Sequence, residues 1–332
     1  PISEHHSNML PFEKLLKKGA KLKVVELKDY KVDFVKLKKA ITKKTKVVAV
    51  NHISNVLGSI NPVEELGDYL KKNHPNVIYI VDGAQAVAHM PVDVKKIKCD
   101  IYAFSSHKMY GPCGVGVLYI SKKMFPMLKP VRAGGGTVNS ISMVKEEDYT
   151  DLVIDFKQGL IILEGGTPNT SNIYGLSAAI NFIRKVGFKE IQKHEQELFD
   201  KLINKLKKIK DLEIYGPKKI KNRSGVVSFS IKDFSAKEIG EYFDRKKIAI
   251  RYGSHCAFPL IDMLGTETIR ASFGLYNDES DVAIFVQELD MFIKKKKGLI
   301  KNKNLEPLRD MNYYKNMFIA NSKQQIIQKI KS

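Results

Sequence analysis

Ile78-Tyr79-Ile80-Val81-Asp82-Gly83-Ala84-Gln85 is the stretch on which the reading of this chain turns. Four apolar residues run without alternation into a carboxylate, and a glycine then turns the backbone. An unbroken apolar run of this length, closed by turn residues, fits a strand buried on both faces, as in a parallel sheet. Similar runs lie on either side, at 21–27, 47–52, 101–105 and 116–120, with helical periodicity at 9–19, 33–43 and 62–74 between them. Strand–helix alternation predicts an α/β fold with a large domain built on a mostly parallel sheet. In such sheets ligands sit beyond the carboxyl ends of the strands, which is where Asp82, His107 and Lys108 fall.

From residue 172 the pattern becomes helical, to about 186 and then from 189 to 210. Short strands at 212–215, 224–231 and 247–251 alternate with helices at 236–246 and 278–295, which predicts a smaller α+β domain. The expected organisation is a large domain at 1–175, connecting helices at 176–210, a small domain at 211–297, and a lysine- and asparagine-rich tail at 298–332.

With 332 residues the chain has room for one large or two ordinary domains. No apolar run is long enough to span a bilayer, and no signal-peptide pattern opens the sequence. Cys99, Cys113 and Cys256 are too far apart for a disulfide scaffold or a zinc site, so no metal is expected. A net charge of +20 raises the question of nucleic acid. Only seven of the 56 basic residues are arginine, however, and the lysines are interleaved with core-facing Leu and Ile on helix faces. That pattern is a solvated surface, and no nucleic-acid partner is expected.

Two strand ends carry the chemistry. Asp82 closes the first, and Ser105-Ser106-His107-Lys108 closes the second. A carboxylate can pair with a protonated ring nitrogen, and a poorly hydrated lysine can form a Schiff base with an aldehyde; pyridoxal phosphate (PLP) needs both. Ser105 and His107 offer phosphate donors. His5, in Glu4-His5-His6-Ser7-Asn8, can stack on a pyridine ring and exchange protons, whereas His6 reads as structural. Asn55 is a neutral donor one strand away. Far along the chain, Cys256 sits in the loop Gly253-Ser254-His255-Cys256-Ala257-Phe258-Pro259, close to Arg251, either as a thiol whose neighbours favour the thiolate or as a buried inert cysteine. Arg270, in a strand-like stretch, would need an anion if buried, either a substrate carboxylate or a structural partner.

These motifs, in this order, resemble the group II (SufS-type) cysteine desulfurases, within the class-V aminotransferase-like branch of the fold-type I PLP enzymes. Gly165-Gly166-Thr167-Pro168-Asn169 and Ser54-Asn55-Val56-Leu57-Gly58 extend the match, which runs from Glu4 to about residue 295. The resemblance implies that Lys108 holds PLP covalently, Asp82 pairs with its ring nitrogen, Gln85 meets the phenolic oxygen, and His5 stacks on the ring. Ser105 and His107 would bind the phosphate, and Thr167 the phosphate of a second subunit, implying a homodimer. Arg270 and Asn55 would hold the carboxylate of L-cysteine, with Arg251 nearby, and Cys256 would accept the sulfur as a persulfide. Sulfur would pass to a SufE- or SufU-like acceptor for iron–sulfur cluster assembly. Selenocysteine lyase chemistry, another class-V activity, or an inactive truncated form are the alternatives. Ser254 stands where the family usually has another histidine, and the family's usual segment before Glu4 is expected to be missing. Lysine and asparagine richness suits a relict plastid, with the bacterial cytoplasm as the alternative.

Overall fold

A computed structural model describes residues 1–218 and 223–298, so beyond residue 298 the expected tail lies outside the described residues. The amino-terminal segment forms two single-turn helices, α1 (His6–Met9) and α2 (Glu13–Leu16). The continuous helix expected at 9–19 is broken because Pro11 sits in a 3-10 turn and Gly19 adopts φ +88°. The strand expected at 21–27 survives only as β1 (Leu27–Lys28), paired with β2 (Lys31–Val32); residues 21–24 are exposed and, among the described residues, belong to no sheet.

Helix α3 (Phe34–Ala40) is started by Asp33, whose carboxylate accepts the Lys36 N–H. The central sheet comes next, with β3 (Val47–Asn51), β4 (Ile78–Asp82), β5 (Ile101–Ser105) and β6 (Gly116–Ile120) in that spatial order. β3, β4 and β5 are parallel, and β6 returns antiparallel. The register sets Asn51 beside Asp82 and Asp82 beside Ala103, so three strand ends open onto one rim. Helix α4 (Val63–Asn73) buries Val63, Leu66, Gly67 and Leu70, a single stripe with helical spacing, and the short α5 (Val94–Ile97) packs against it. Gly83 has a steric reason: a Cβ there would lie 1.9 Å from the Tyr102 ring.

A hairpin of β7 (Val138–Lys145) and β8 (Thr150–Phe156) projects from this body with nearly every residue exposed. Two long helices, α6 (Thr170–Val186) and α7 (Phe188–Leu206), meet at Gly187, whose φ of +88° turns the chain between them. Leu176, Ile183, Val186 and Ile191 join the core of the central sheet, while Leu198, Leu202 and Leu206 join a second core.

That second core lies under an antiparallel sheet of order β11-β12-β10-β9, comprising β9 (Leu212–Tyr215), β10 (Val226–Ile231), β11 (Arg251–Gly253) and β12 (Thr268–Ser272). Helices α8 (Ala236–Arg245), α9 (Phe258–Leu264) and α10 (Glu279–Lys296) complete the body. Phe229, Phe243 and Phe285 form an aromatic centre, with Phe243 and Phe285 stacked 4.9 Å apart. The strand expected at 247–251 begins only at Arg251. Lys247 takes a left-handed turn at φ +56°, and Ile248 and Ile250 pack onto the core without joining the sheet.

Candidate active site

A cavity of about 230 Å³ opens at the carboxyl ends of β3, β4 and β5. His5, Asn55, Asp82, Gln85, Ser105 and Lys108 all line it. Asp82 reaches it because β4 ends there, and one carboxylate oxygen is fixed by accepting the Ala84 N–H at 2.9 Å. Lys108 closes the 3-10 turn Ser106–Lys108 directly after β5, and Gly111 packs close to Ser106, where a Cβ would lie 2.1 Å from its Oγ. The cleft leaves Lys108 open to solvent on one side. Its walls nevertheless desolvate the amine and push its pKa down; Asp82 and Cys256 pull it back up, and Arg270 lowers it further.

His5 caps α1, with Nδ1 accepting the Ser7 N–H at 3.1 Å. Burial holds its imidazole below the ordinary histidine range, and the charge of Lys108 adds to that. Under it lies Glu4, which is buried and accepts from the Asn51 N–H (2.7 Å), the Asn51 side-chain amide (3.0 Å) and Asn8 (2.7 Å). Asn51 also donates to the Ser3 carbonyl and receives the amide of Asn61 at 2.7 Å. This network ties the His5 motif to the end of β3. Burial raises the Glu4 pKa against its hydrogen bonds.

The carboxyl-terminal half of the chain meets this rim through Asn55. Cys256 is exposed, on a loop whose backbone is left-handed at both His255 (φ +52°) and Cys256 (φ +56°). The amide of Asn55 donates to the His255 carbonyl at 2.9 Å, so this predicted carboxylate binder also braces the cysteine loop. His255 is buried with Nε2 within 2.8 Å of Thr268 Oγ1, and burial pushes its pKa down to about 4. The backbone N–H of His6 donates to the Cys256 carbonyl at 2.8 Å. Arg270, in β12 beside Arg251 of β11, donates from Nη1 to the Asn55 carbonyl at 2.8 Å, while its buried Nε has no hydrogen-bond partner.

Five predicted site residues lie outside the cavity lining: Cys256 and Arg270 are tied to it through Asn55, which donates to the His255 carbonyl and accepts from Arg270 Nη1, and three stand apart. His107, Thr167 and Arg251 are exposed and do not line the cavity, although the Arg251 charge depresses the pKa values of Arg270 and His255. Their neighbours explain the positions: His107 sits outside the lining, in the turn that aims Lys108, and Thr167 lies in an exposed stretch before α6. Sequence reasoning missed the supports Glu4, Asn51 and Thr268. Only Glu4 and Asn51 had a visible signal, as polar residues abutting the strand and histidine motifs. Among the described residues no group of three or more His, Cys, Asp or Glu could hold a metal ion.

The profile of the aminotransferase class-V family matches residues 2–285. The chain belongs to that family. Among its relatives is a "Probable cysteine desulfurase" of Halalkalibacterium halodurans, 40% identical over 290 residues that span 86% of this chain and 68% of the relative. A "Cysteine desulfurase" of Escherichia coli O8 is 36% identical over 84% of this chain and 66% of its own length. The apo structure of a cysteine desulfurase from Thermococcus onnurineus NA1 superposes with a TM-score of 0.80 at 37% identity, covering 88% of this chain and 71% of that one. The cysteine desulfurase CsdA from Escherichia coli gives 0.79 at 30% identity, over 89% of this chain and 71% of that one. The class-V family and its PLP fold therefore bear out the α/β architecture expected from the strand ends.

Proposed function

We propose that this chain is a PLP-dependent cysteine desulfurase that converts L-cysteine to L-alanine and carries the sulfur on Cys256. The observation that carries the reading is that His5, Asp82, Lys108 and Asn55 line one cavity, while Asn55 is hydrogen-bonded both to the cysteine loop at the His255 carbonyl and to Arg270.

The residues present fit the cofactor. A cavity at three strand ends offers a carboxylate, Asp82, with one oxygen held by Ala84 N–H, and a lysine whose amine is made easier to deprotonate by burial. Asp82 would hold the proton on the ring nitrogen, Gln85 and Ser105 would meet the polar substituents, and His5 would cover the ring face. When bound, PLP supplies an electron sink for bonds at the substrate α-carbon. Lys108 Nζ, with its lowered pKa, is suited to take and return a proton there. The unpartnered Nε of Arg270 awaits an acceptor that a substrate carboxylate provides. Cys256 then forms an S–S bond to the substrate sulfur as the C–S bond breaks. The carbon keeps the electron pair and takes up a proton, so cysteine plus thiol gives alanine plus persulfide with no outside oxidant.

The test is direct. Wild-type protein given L-cysteine should release alanine and carry one extra sulfur on Cys256 by mass spectrometry. Cys256→Ala should keep the PLP absorbance and form no persulfide; persulfide formation by that variant would overturn the role.

Within the family we read the chain as the group II, SufS type, on its compact Gly-Ser-His-Cys-Ala loop. On this reading it works as a homodimer, passes sulfur to a SufE- or SufU-like acceptor, and serves iron–sulfur cluster assembly in a relict plastid. Support for the dimer comes from Thr167, exposed and outside the lining of its own cavity, and from the apolar, exposed hairpin β7–β8, where Met143 is 76% exposed. Light scattering on the purified chain tests the dimer, and imaging a tagged copy tests the compartment.

A further inference from the structure

We infer that His6 is a positioning residue for Cys256, clamping the sulfur-accepting loop of the small domain onto the amino-terminal motif of the large domain. The inference rests on the reading of Cys256 as sulfur acceptor. Its structural basis is separate from that reading. The loop is one that L-residues disfavour, with two consecutive non-glycine residues at positive φ. Such a loop keeps its shape only where its surroundings hold it. Asn55 and Thr268 hold His255, through its carbonyl and its ring. Ala257 after the cysteine packs in an apolar cluster with Val56 and Leu57, and among the described residues the hydrogen bonds from the amino-terminal motif to Cys256 and Phe258 both come from His6. Its N–H donates to the Cys256 carbonyl at 2.8 Å. Its Nε2 accepts the Phe258 N–H at 3.1 Å, and its ring stacks on Phe258 at 5.0 Å with the planes 28° apart.

An imidazole that accepts at Nε2 is neutral, with its proton on Nδ1. His6 therefore holds two backbone sites of the loop in opposite senses: its own N–H donates to the Cys256 carbonyl, and its flat ring accepts the Phe258 N–H. The residue before it, His5, lines the cavity where the cofactor binds. One dipeptide thus sets the ring-covering imidazole and the sulfur-accepting loop at a fixed separation, and the reaction depends on that separation.

His6→Ala keeps the backbone donor but removes the ring acceptor and the stack. His6→Gln offers a carbonyl oxygen in place of Nε2. His6→Phe keeps a stacking ring and lacks the acceptor. In the full chain loaded with PLP, amide hydrogen exchange at Phe258 should accelerate about tenfold or more in His6→Ala and His6→Phe. The single-turnover rate of persulfide formation should fall about ten- to a hundredfold, because a small displacement of a nucleophile is costly. PLP affinity and absorbance should stay within about twofold, and His6→Gln should recover most of the rate. Unchanged Phe258 exchange in both His6→Ala and His6→Phe, or an unchanged persulfide rate, would overturn the clamp, as would loss of PLP in step with the rate. Should His6→Ala fail to fold, His6→Phe carries the same comparison. If wild-type protein forms no persulfide from L-cysteine, the desulfurase reading fails, and Phe258 exchange still decides the clamp.

Discussion

Replacing Arg270 by glutamine separates a residue that waits for substrate from one that holds the fold together. In the free protein Arg270 donates one hydrogen bond, from Nη1 to the Asn55 carbonyl, and its buried Nε is unpartnered. Burial, with the Arg251 charge beside it, pushes its pKa down to about 10, so the guanidinium is held where it is poorly solvated. Glutamine removes one hydrogen bond from a charged donor, a loss of about 1.5–3 kcal/mol, and also relieves a desolvated charge and its repulsion by Arg251. The two changes oppose one another, so unfolding free energy should shift by less than about 2 kcal/mol. Catalysis should respond far more. A hydrogen bond to a charged acceptor contributes about 1.5–3 kcal/mol, so losing the one that Nε is free to make should lower kcat/KM for L-cysteine about 10- to 150-fold, chiefly through KM. Lysine should not rescue it, because a point charge cannot reproduce the planar donor pair. The measurements are steady-state alanine release and urea unfolding. A stability loss of about 3–5 kcal/mol with kcat/KM intact would mark Arg270 as a structural ion and refute the reasoning.

Stability should also depend on pH through His52 and His255, both buried and both held near a pKa of about 4 by desolvation. Their folded values lie below the usual ~6.5, so between about pH 6.5 and 4 the unfolded chain binds more protons. Stability should therefore fall as pH drops through that window, by up to about 1.4 kcal/mol per pH unit for each histidine; flat urea midpoints from pH 7 to 5 would contradict this. Gly83→Ala places a Cβ 1.9 Å from Tyr102 and should cost at least about 1–3 kcal/mol while disturbing Asp82 next to it, and an unchanged Tm would show that the ring moves freely. Lys108→Ala should abolish the protein-linked PLP chromophore, and its persistence after dialysis would reassign the lysine.

Much of the site was legible because it was written in short runs. Asp82 and Lys108 each come within a few residues of an apolar strand, and a parallel sheet places such ends on one rim whatever the later chain does. Cys256 and Arg270 were legible as chemistry but not as neighbours of that rim, since their approach depends on how two domains pack. Nothing local to Asn55 shows that its amide meets a carbonyl 200 residues away. His6 read as structural for a sound reason, and the structure specifies what it supports. The hairpin β7–β8 escaped notice because its apolar residues, such as Ile141, Val144, Leu152 and Val153, fall on both faces, so no single-sided alternation marks it. The misplaced strand at 247–251 shows the converse: Ile248 and Ile250 are apolar and alternate, but a left-handed Lys247 delays pairing until Arg251.

The contact between His6 and Phe258 joins residues 252 positions apart. Closing so long a loop has a high entropic cost and is slow, and it is compensated only after both cores exist to hold the ends. The histidine motif therefore leaves the ribosome well before its counterpart, which is synthesised 252 positions later. A refolding experiment should see secondary structure return first and reactivity at Cys256 return last. Competence in this protein is a property that arrives late in folding, after most of the helices and strands are already in place.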